Sequence, residues 1–333
     1  MKKVSIKDVA AAANVSIATV SLVLSGKTQN GRVSVKTIER VKKLARDMNY
    51  QPNRLALGLK NGRSQTIGLL VADISNPFWG TIAHYIQEEL EKAGYAVIIM
   101  NTDENHGQMA RMVTLLQSRQ VDGFIIAPPA NSAYVLEELV KFKVPVVLID
   151  RPYPSLPISS VVIDNYDSSY KGTQFLLGKN CKKIAFMMYD SELYNISQRL
   201  MGYEKAMEEA GRFHESLVYK VNHLSAETEV VKWLEERLNS LDPIDGVFFS
   251  TNRIAMIGIT YLLKRKVNIG KDLHVLCYDK NLLVELIPGL VSYIEQPMEL
   301  MCKEAASLLV ERIKNPELST ENIELKVNMT TIG

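Results

Sequence analysis

Four aspartates, each at the end of a short apolar run, are the residues of this sequence best suited to chemistry. They are Asp73, Asp150, Asp164 and Asp279. In folds built from parallel strands, ligands bind at the carboxyl ends of the strands. A carboxylate at such a position can accept hydrogen bonds from hydroxyl groups or serve as an acid or base. These four positions leave both chemistries open.

Sequence motifs of the common catalytic sites are absent. The chain contains no GxGxxG after its first β-rich run, and no GxxxxGK[ST], HExxH or GxSxG. Dinucleotide, nucleotide, zinc-protease and serine-hydrolase sites therefore have no support. The five histidines lack ligand spacing, and the three cysteines are far apart without a CxxC pair. We expect neither an enzyme nor a cofactor or metal site.

The compartment follows from the same survey. The cysteine usage favours a reducing cytoplasm. The N-terminus has two lysines but no apolar stretch of signal-peptide length,. No run approaches the roughly 20 apolar residues of a membrane-spanning helix. We expect a cytoplasmic protein.

The elements that must position the aspartates begin at Ile67, where β-rich runs start to alternate with amphipathic helical stretches. We predict strands at 67–72, 96–101, 122–127, 145–149, 160–164, 183–188, 217–221, 245–250, 273–278, 291–294 and 323–328, and helices near 77–93, 107–119, 132–142, 167–179, 197–210, 226–239, 252–265 and 298–313. This alternation is typical of parallel sheets covered by helices. Two successive sets of strands predict an α/β body of two doubly wound parallel-sheet subdomains.

Residues 4–24 predict a different architecture, two short helices joined by a tight turn. Apolar side chains recur at helical spacing at Ile6, Val9, Ala10 and Ala13, and then at Val20, Val23 and Leu24,. Ser16 is placed to cap the second helix, because its hydroxyl can accept a hydrogen bond from a free backbone N–H. The outward face then carries Ile17, Ala18, Ser21 and Leu22. This is the layout of an all-α helix-turn-helix, whose second helix enters the DNA major groove.

Charge supports a nucleic-acid partner for this segment. Residues 1–62 hold 12 Lys and Arg against 3 Asp and Glu, whereas the rest of the chain holds 27 against 34. A basic segment next to an acidic body is expected to meet polyanions. Ser34 is predicted to cap a third helix that ends at Asn49. After Pro52, residues 53–60 predict a helix of one to two turns, followed by a linker.

Taken in order, these segments resemble the LacI/GalR (lactose-repressor/galactose-repressor) family of bacterial transcriptional regulators. The matching segments are IKDVAAAANVSIATVSLVLSG, RVSVKTIERV and NYQPNRLALGLK, then IGLLVADISNPFW, QVDGFIIAPP, VPVVLIDRP, VVIDNYDSSY, RLMGYEKAMEEAG, LCYDKN and IEQPMELM. The resemblance implies a periplasmic-binding-protein-like body, a homodimer and a pseudo-palindromic double-stranded DNA operator. It also implies a small effector, a sugar or sugar derivative, that binds between the body halves and changes operator affinity. No leucine heptad follows residues 323–328, so we expect a dimer.

The domain boundaries follow from the same resemblance. We expect a helix-turn-helix headpiece at 1–50 and a hinge helix with linker at 51–64. We expect the N-terminal body subdomain at 65–163 and 292–322, and the C-terminal one at 164–291 and 323–333.

The resemblance also assigns the DNA contacts. It places Ser16, Thr19 and Ser21 on phosphates, with Ser34 and Thr37 at the next helix, and it assigns base reading to Ile17, Ala18 and Leu22. Relatives often carry Arg where this chain has Leu22, so we expect contacts with thymine methyl groups and less dependence on guanine. Leu59, beside Ala56, is expected to enter the minor groove. The remaining expected contacts are Ser5, Ile6, Tyr50 and Asn53.

Effector contacts are expected on loops at strand ends. The resemblance assigns them to Asn76, Phe78, Arg151, Asp164, Arg199, Asn252, Arg253 and Asp279. Phe78 is expected to stack on a sugar ring, and Trp79 is expected in the core. Arg253 departs from the family pattern, which has Asp at this position. With Arg151 and Arg199 it either forms a cationic cleft for a sugar acid or sugar phosphate, or turns away. Asn180 replaces a usual glycine, and we expect a turn with positive φ there.

Two other functions remain open. The body resembles a sugar-binding module, which could act alone in the cytoplasm. It could also respond to a phosphorylated carrier protein, as one branch of the family does. Either induction or corepression by the effector is compatible with this reading.

Overall fold

Three short helices enclose a small core near the N-terminus. The structure is a computed structural model that describes residues 4–25, 28, 33–50, 63–280, 282–287 and 290–330. The helices are α1 (Ile6–Ala13), α2 (Ile17–Leu24) and α3 (Val35–Asp47). Their shared core is built from Val9, Ala10, Ala13, Val20, Val23, Val41 and Ala45. The predicted hinge helix at 53–60 lies outside the described residues.

Capping side chains fix where these helices begin. Ser16 and Ser34 precede α2 and α3, and their hydroxyls accept hydrogen bonds from the backbone N–H groups of Thr19 and Thr37. Both predicted caps are confirmed. At α1, Ser5 and Asp8 form a reciprocal capping box that satisfies two N–H groups at once,.

The rest of the chain contains two six-stranded sheets. The chain divides into Met1–Ser64 and Gln65–Gly333, and both sheets lie in the second unit. The strands are β1 (Thr66–Val71), β2 (Ala96–Asn101), β3 (Gly123–Ile126), β4 (Val146–Ile149), β5 (Ser159–Ile163), β6 (Ile184–Tyr189), β7 (Val218–Val221), β8 (Gly246–Phe249), β9 (His274–Tyr278), β10 (Val291–Glu295), β11 (Asn322–Leu325) and β12 (Asn328–Thr330).

Strand order separates the two halves of the body. The first sheet has the order β11-β5-β4-β3-β1-β2, and all of its pairings are parallel. The second has the order β12-β10-β9-β8-β6-β7, and only the edge strand β12 is antiparallel. Central strands such as β3, β4 and β8 are buried throughout, as expected where helices cover both faces of a parallel sheet,.

Helices connect the strands of both sheets. They are α4 (Pro77–Lys92), α5 (His106–Ser118), α6 (Ala133–Lys141), α7 (Asn165–Gly178), α8 (Tyr194–Glu209), α9 (Ala226–Leu238), α10 (Asn252–Lys264), α11 (Leu282–Leu286) and α12 (Met298–Lys314), with a 3₁₀ turn at Glu215–Leu217. All eight predicted body helices form, with bounds that differ by at most three residues. The short α11 and the 3₁₀ turn were not predicted.

The predicted subdomain boundaries are wrong at two places. Residues 292–295 were expected in the first half, but β10 pairs with β9 in the second sheet. Residues 323–325 were expected in the second half, but β11 pairs with β5 in the first sheet. The single strand predicted at 323–328 is in fact two strands in two sheets. Alternate side chains stay half-buried from Ile323 to Met329, so the period-2 pattern continues although the sheet changes.

Taken one at a time, none of the helices in the described ranges is both long and apolar enough to cross a bilayer. The helices α1 and α2 reach the length and apolar composition of a membrane span only when they are counted together, and the chain bends by 104° between them.

Candidate functional site

The outer face of α2 carries small apolar and hydroxyl side chains. Ile17 and Ala18 are exposed, with Ile17 at 44%. Thr19, Ser21 and Leu22 are half-buried. The bare N–H groups at the start of a capped helix favour anions, so the start of α2 suits a phosphate.

The other predicted DNA contacts divide into exposed and packed residues. Ser5 and Ser34 are exposed, and Thr37 is half-buried. Ile6 and Tyr50 pack against the headpiece core, and burial raises the pKa of the Tyr50 hydroxyl. Asn53, Ala56 and Leu59 lie outside the described residues.

A cavity of about 780 Å³ lies between the carboxyl ends of the two body sheets. Seven of the eight predicted effector residues line it: Asn76, Phe78, Arg151, Arg199, Asn252, Arg253 and Asp279. Asp164 is the exception. It precedes α7, and its carboxylate accepts a hydrogen bond from the Asp167 backbone N–H at 2.9 Å, so it caps the helix and is not among the residues lining the cavity.

Strand-end loops aim the polar groups of the cavity. Asp103 and Glu104 follow β2, Asp150 follows β4 and Asp279 follows β9, and all four have positive φ between 50° and 67°. Non-glycine residues rarely adopt this conformation, and such backbones concentrate at functional sites. The predicted positive φ at Asn180 is also confirmed, at 65°, in a turn away from the cavity.

Three polar contacts join the two halves across the cavity. The Asn76 and Asn252 amides exchange hydrogen bonds of 2.8 and 3.3 Å. The Asn195 amide donates to Asp150 at 3.0 Å. Arg253 Nη1 lies 3.2 Å from Asp73 Oδ2. Each contact pairs a loop of the first sheet with the start of a helix of the second.

Arg151 is almost fully buried in the first half of the cavity wall. Its two terminal nitrogens donate to the two Glu104 oxygens at 2.7 Å each, and its Nε lies 3.5 Å from Asp150 Oδ2. The guanidinium also lies 5.3 Å from the centre of the Trp79 ring. Burial opposes charge on Glu104, but Arg151 outweighs it and holds the pKa of that carboxyl below its usual value.

Arg199 is the corresponding cation of the second half. Its Nε donates to Asn165 Oδ1 at 2.8 Å, and its Nη1 donates to the Ser250 carbonyl at 2.7 Å. The guanidinium stacks 3.7 Å from the centre of the Tyr278 ring. These contacts fix a cation beside the carboxylates of Asp150 and Asp279.

Burial shifts both of those carboxylates toward the neutral form. It raises the pKa of Asp150 despite the nearby guanidiniums of Arg151 and Arg199. It raises the pKa of Asp279 to about 6, against the opposing effects of Arg199 and of a 2.8 Å hydrogen bond from Gln296. Both groups therefore sit where a ligand's hydroxyl could replace lost water.

Three polar atoms of the wall have no hydrogen-bond partner in the described part of the chain. They are Arg151 Nε, the Tyr189 hydroxyl and the Gln296 Oε1 oxygen. The first can only donate, the second can donate or accept, and the third can only accept. Buried polar atoms without partners are uncommon, and these atoms are free to hydrogen-bond a molecule in the cavity.

Several wall residues were missed by sequence reasoning. Glu104, Asn195 and Gln296 line the cavity but were not predicted. Trp79, expected in the core, is buried there and lines the cavity as well. Glu104 could have been found, because it follows a predicted strand in the same way as the four aspartates do. Asn195 lies in the first turn of a helix whose predicted start was three residues too late.

Comparison with known proteins gives the class of this architecture. Residues 64–330 match the family described as "Periplasmic binding proteins and sugar binding domain of LacI family", and residues 5–53 match "Bacterial regulatory proteins, lacI family". The chain belongs to the LacI family of DNA-binding transcriptional regulators.

Three similar proteins illustrate the range of the family. The HTH-type transcriptional regulator DegA of Bacillus subtilis is 31% identical over 91% of this chain and 89% of its own length. A LacI-family regulator from Enterococcus faecium, solved with bound ribose, is 26% identical over 80% of this chain and 97% of its own, with a TM-score of 0.69. A lac repressor dimer bound to operator and the anti-inducer ONPF shares the fold over 99% and 98%, with a TM-score of 0.84 at 22% identity.

Proposed function

We propose that this chain is a cytoplasmic, homodimeric transcriptional repressor of a carbohydrate-related operon. Its headpiece binds a pseudo-palindromic operator, and a neutral sugar bound between the body halves changes operator affinity. The observation that supports a sugar ligand is the composition of the cavity wall, where aromatic faces lie beside paired cations and carboxylates and beside amides. We assign no enzymatic step to this wall, because its buried carboxylates are held by guanidinium and amide partners.

A neutral effector is favoured over an anionic one by how the three guanidiniums are engaged. All three line the cavity, as the anionic hypothesis requires. However, Arg151 is paired with Glu104, Arg253 with Asp73, and Arg199 lies beside two aspartates. An incoming anion would have to displace an existing carboxylate. A hydroxyl group, which both donates and accepts, needs only the unpartnered atoms of the wall.

The DNA half of the proposal is supported by the α2 surface. Its exposed residues offer methyl groups and hydroxyls, without the forked donors that read guanine. Contact with thymine methyl groups suits Ile17 and Ala18. We also keep the prediction that Leu59 acts as a minor-groove wedge, for which Leu59→Ala should lose operator affinity.

Two measurements test the proposal together. Selection from random duplexes with the full chain should enrich an inverted repeat without a strictly required guanine opposite Leu22. Calorimetric titration with neutral monosaccharides, uronic acids and sugar phosphates should show tightest binding for a neutral sugar, and that sugar should change the affinity for the selected repeat. A purified chain that stays monomeric and prefers no repeat would contradict the DNA half. Response only to a phosphorylated carrier protein would contradict the sugar half.

A further inference from the structure

The anion-binding edge of Arg151 is already occupied by the protein itself. Glu104 meets it with both oxygens at 2.7 Å, in the forked geometry that Arg otherwise offers to a carboxylate or phosphate of a ligand,. The Arg151 side chain is 8% exposed and that of Glu104 is 28% exposed. The pair is therefore shielded from most of the water that weakens surface ion pairs.

The loop that carries Glu104 is held in place by its own hydrogen bonds. The Asp103 N–H donates to the Ala72 carbonyl at 2.8 Å, and the Asn105 N–H donates to the Thr102 carbonyl at 2.9 Å. Gln108 Nε2 donates to the Asp103 carboxylate at 2.7 Å, and Asn105 caps α5. A carboxylate tethered in this way competes at a high effective concentration with any free anion.

Arg253 shows the same arrangement in a weaker form. Asp73 contacts it through one oxygen, while the other accepts from the Ser75 N–H at 2.9 Å and the Ser75 hydroxyl at 2.6 Å. The Arg253 side chain is 44% exposed and that of Asp73 is 30% exposed, so water screens this pair more,. Glu104 therefore holds its arginine more firmly than Asp73 does.

We propose that Glu104 determines effector specificity by occupying Arg151 in place of an anionic ligand, so that sugar acids and sugar phosphates are rejected. This inference rests on the proposed function, since it concerns which ligands the same cleft accepts. Removing the charge of Glu104 frees a buried guanidinium and opens the cleft to anions. Glu104 acts through Arg151 and is a specificity-determining residue for this cleft.

Glu104→Gln in the full chain tests the proposal, because it keeps the shape of the side chain and removes its charge. Glu192→Gln is the matched control. Glu192 lines the same cavity and is exposed, and it has no ion pair in the described part of the chain. Both variants change the net charge of the cleft equally, but only the first releases a guanidinium.

The probes are inorganic phosphate, glucuronate and gluconate, beside the neutral monosaccharides. We expect phosphate and the two acids to raise the melting temperature of Glu104→Gln, and not that of the wild type or of Glu192→Gln. The ratio of acid affinity to neutral-sugar affinity should rise at least ~10-fold, as expected for a charge-assisted hydrogen bond gained by the ligand. The control should leave that ratio unchanged.

Three results would overturn the inference. They are an unchanged ratio in a folded Glu104→Gln, an equal rise in both variants, or a wild type that already binds the acids as tightly as neutral sugars. If the glutamine distorts the loop, Glu104→Ala gives the same comparison. A wild type that binds no carbohydrate contradicts the proposed function instead, and the phosphate measurements still decide the role of Glu104.

Discussion

At the scale of single residues, the cavity combines a guanidinium held in place by hydrogen bonds with a carboxylate that burial makes costly to ionise. Arg199 donates from Nε to Asn165 and from Nη1 to Ser250, and it serves as a fixed cation. Asp279 is the costly partner, because it is 6% exposed and its carboxylate has lost most of its hydration,. Sequence reasoning found both residues, but it could not find that the guanidiniums already have carboxylate partners, since those pairs join distant loops.

The raised pKa of Asp279 predicts a pH-dependent stability. Its pKa rises from 3.8 to about 6 on folding, so the folded protein binds this proton more tightly than the unfolded chain does. The resulting stabilisation is complete below the unfolded value and is lost as pH rises through about 6,. The stability of Asp279→Asn relative to wild type should therefore increase as pH rises, and above pH 6 it should exceed its low-pH value by up to ~3 kcal/mol,.

Urea unfolding of the two proteins at a series of pH values measures this difference. Between the two pKa values the gap between variant and wild type should widen, and at higher pH it should level off. A gap that stays constant across the series would show that burial of the charge is not the cause.

At the scale of elements, helix starts and close helix contacts place the site. Most element bounds were predictable because the apolar period changes between strands and helices, and because serine caps mark α2 and α3. The division of residues 323–328 between two sheets was not predictable. Its alternating pattern is the same in both sheets, and only long-range pairing separates β11 from β12.

The contact between α7 and α8 depends on Gly202. A Cβ at this position would lie 2.3 Å from the Tyr166 carbonyl oxygen, which is backbone and cannot turn aside. Gly202→Ala should force the helices apart and destabilise the body by ~2 kcal/mol or more. Because α8 carries Asn195 and Arg199, effector affinity should fall as well.

Gly178→Ala is the matched control for that substitution. Gly178 also lies in a helix, α7, and a Cβ there meets no atom within 4 Å. Thermal unfolding should show a change within ~0.5 kcal/mol. Similar losses in both variants would mean that the contact with Tyr166 does not set the cost, since alanine has the higher helix propensity.

The caps of α2 and α3 give a second prediction at this scale. Ser16→Ala should cost ~1 kcal/mol of headpiece stability, because it leaves the Thr19 N–H without its partner. It should also weaken binding to all duplexes alike, since a phosphate contact carries no sequence information. Fluorescence anisotropy on the selected repeat and on a scrambled duplex measures the affinity for each duplex. A loss of affinity confined to the repeat would assign Ser16 to base reading.

At the scale of the whole molecule, the chain forms two units that differ in core and in charge. The headpiece has its own apolar cluster, and the body has two larger ones. The excess of positive charge lies in the first 62 residues, while the rest of the chain is acidic. Overall fold class and this division were predictable from period and charge, whereas the three crossings between the body halves depend on pairings far apart in sequence.

A fragment of residues 64–333 should therefore fold and keep effector binding. We expect calorimetry to give the same effector affinity as for the full chain within about threefold, since none of the described residues before Ala72 lines the cavity. Operator binding should be lost in a gel-shift assay. A fragment that folds but no longer binds the effector would indicate that the headpiece contributes to the cleft.

The three crossings between the sheets, after β5, after β10 and between β11 and β12, bear on how such regulators can be recombined. Neither half is one continuous stretch of polypeptide, so a single splice between two homologous genes cannot transplant a complete ligand-selective half. A functional chimera has to exchange residues 165–295 together with the short closing strand at 328–330. A library built with three junctions at these positions should yield many more folded hybrids than one cut anywhere else at random.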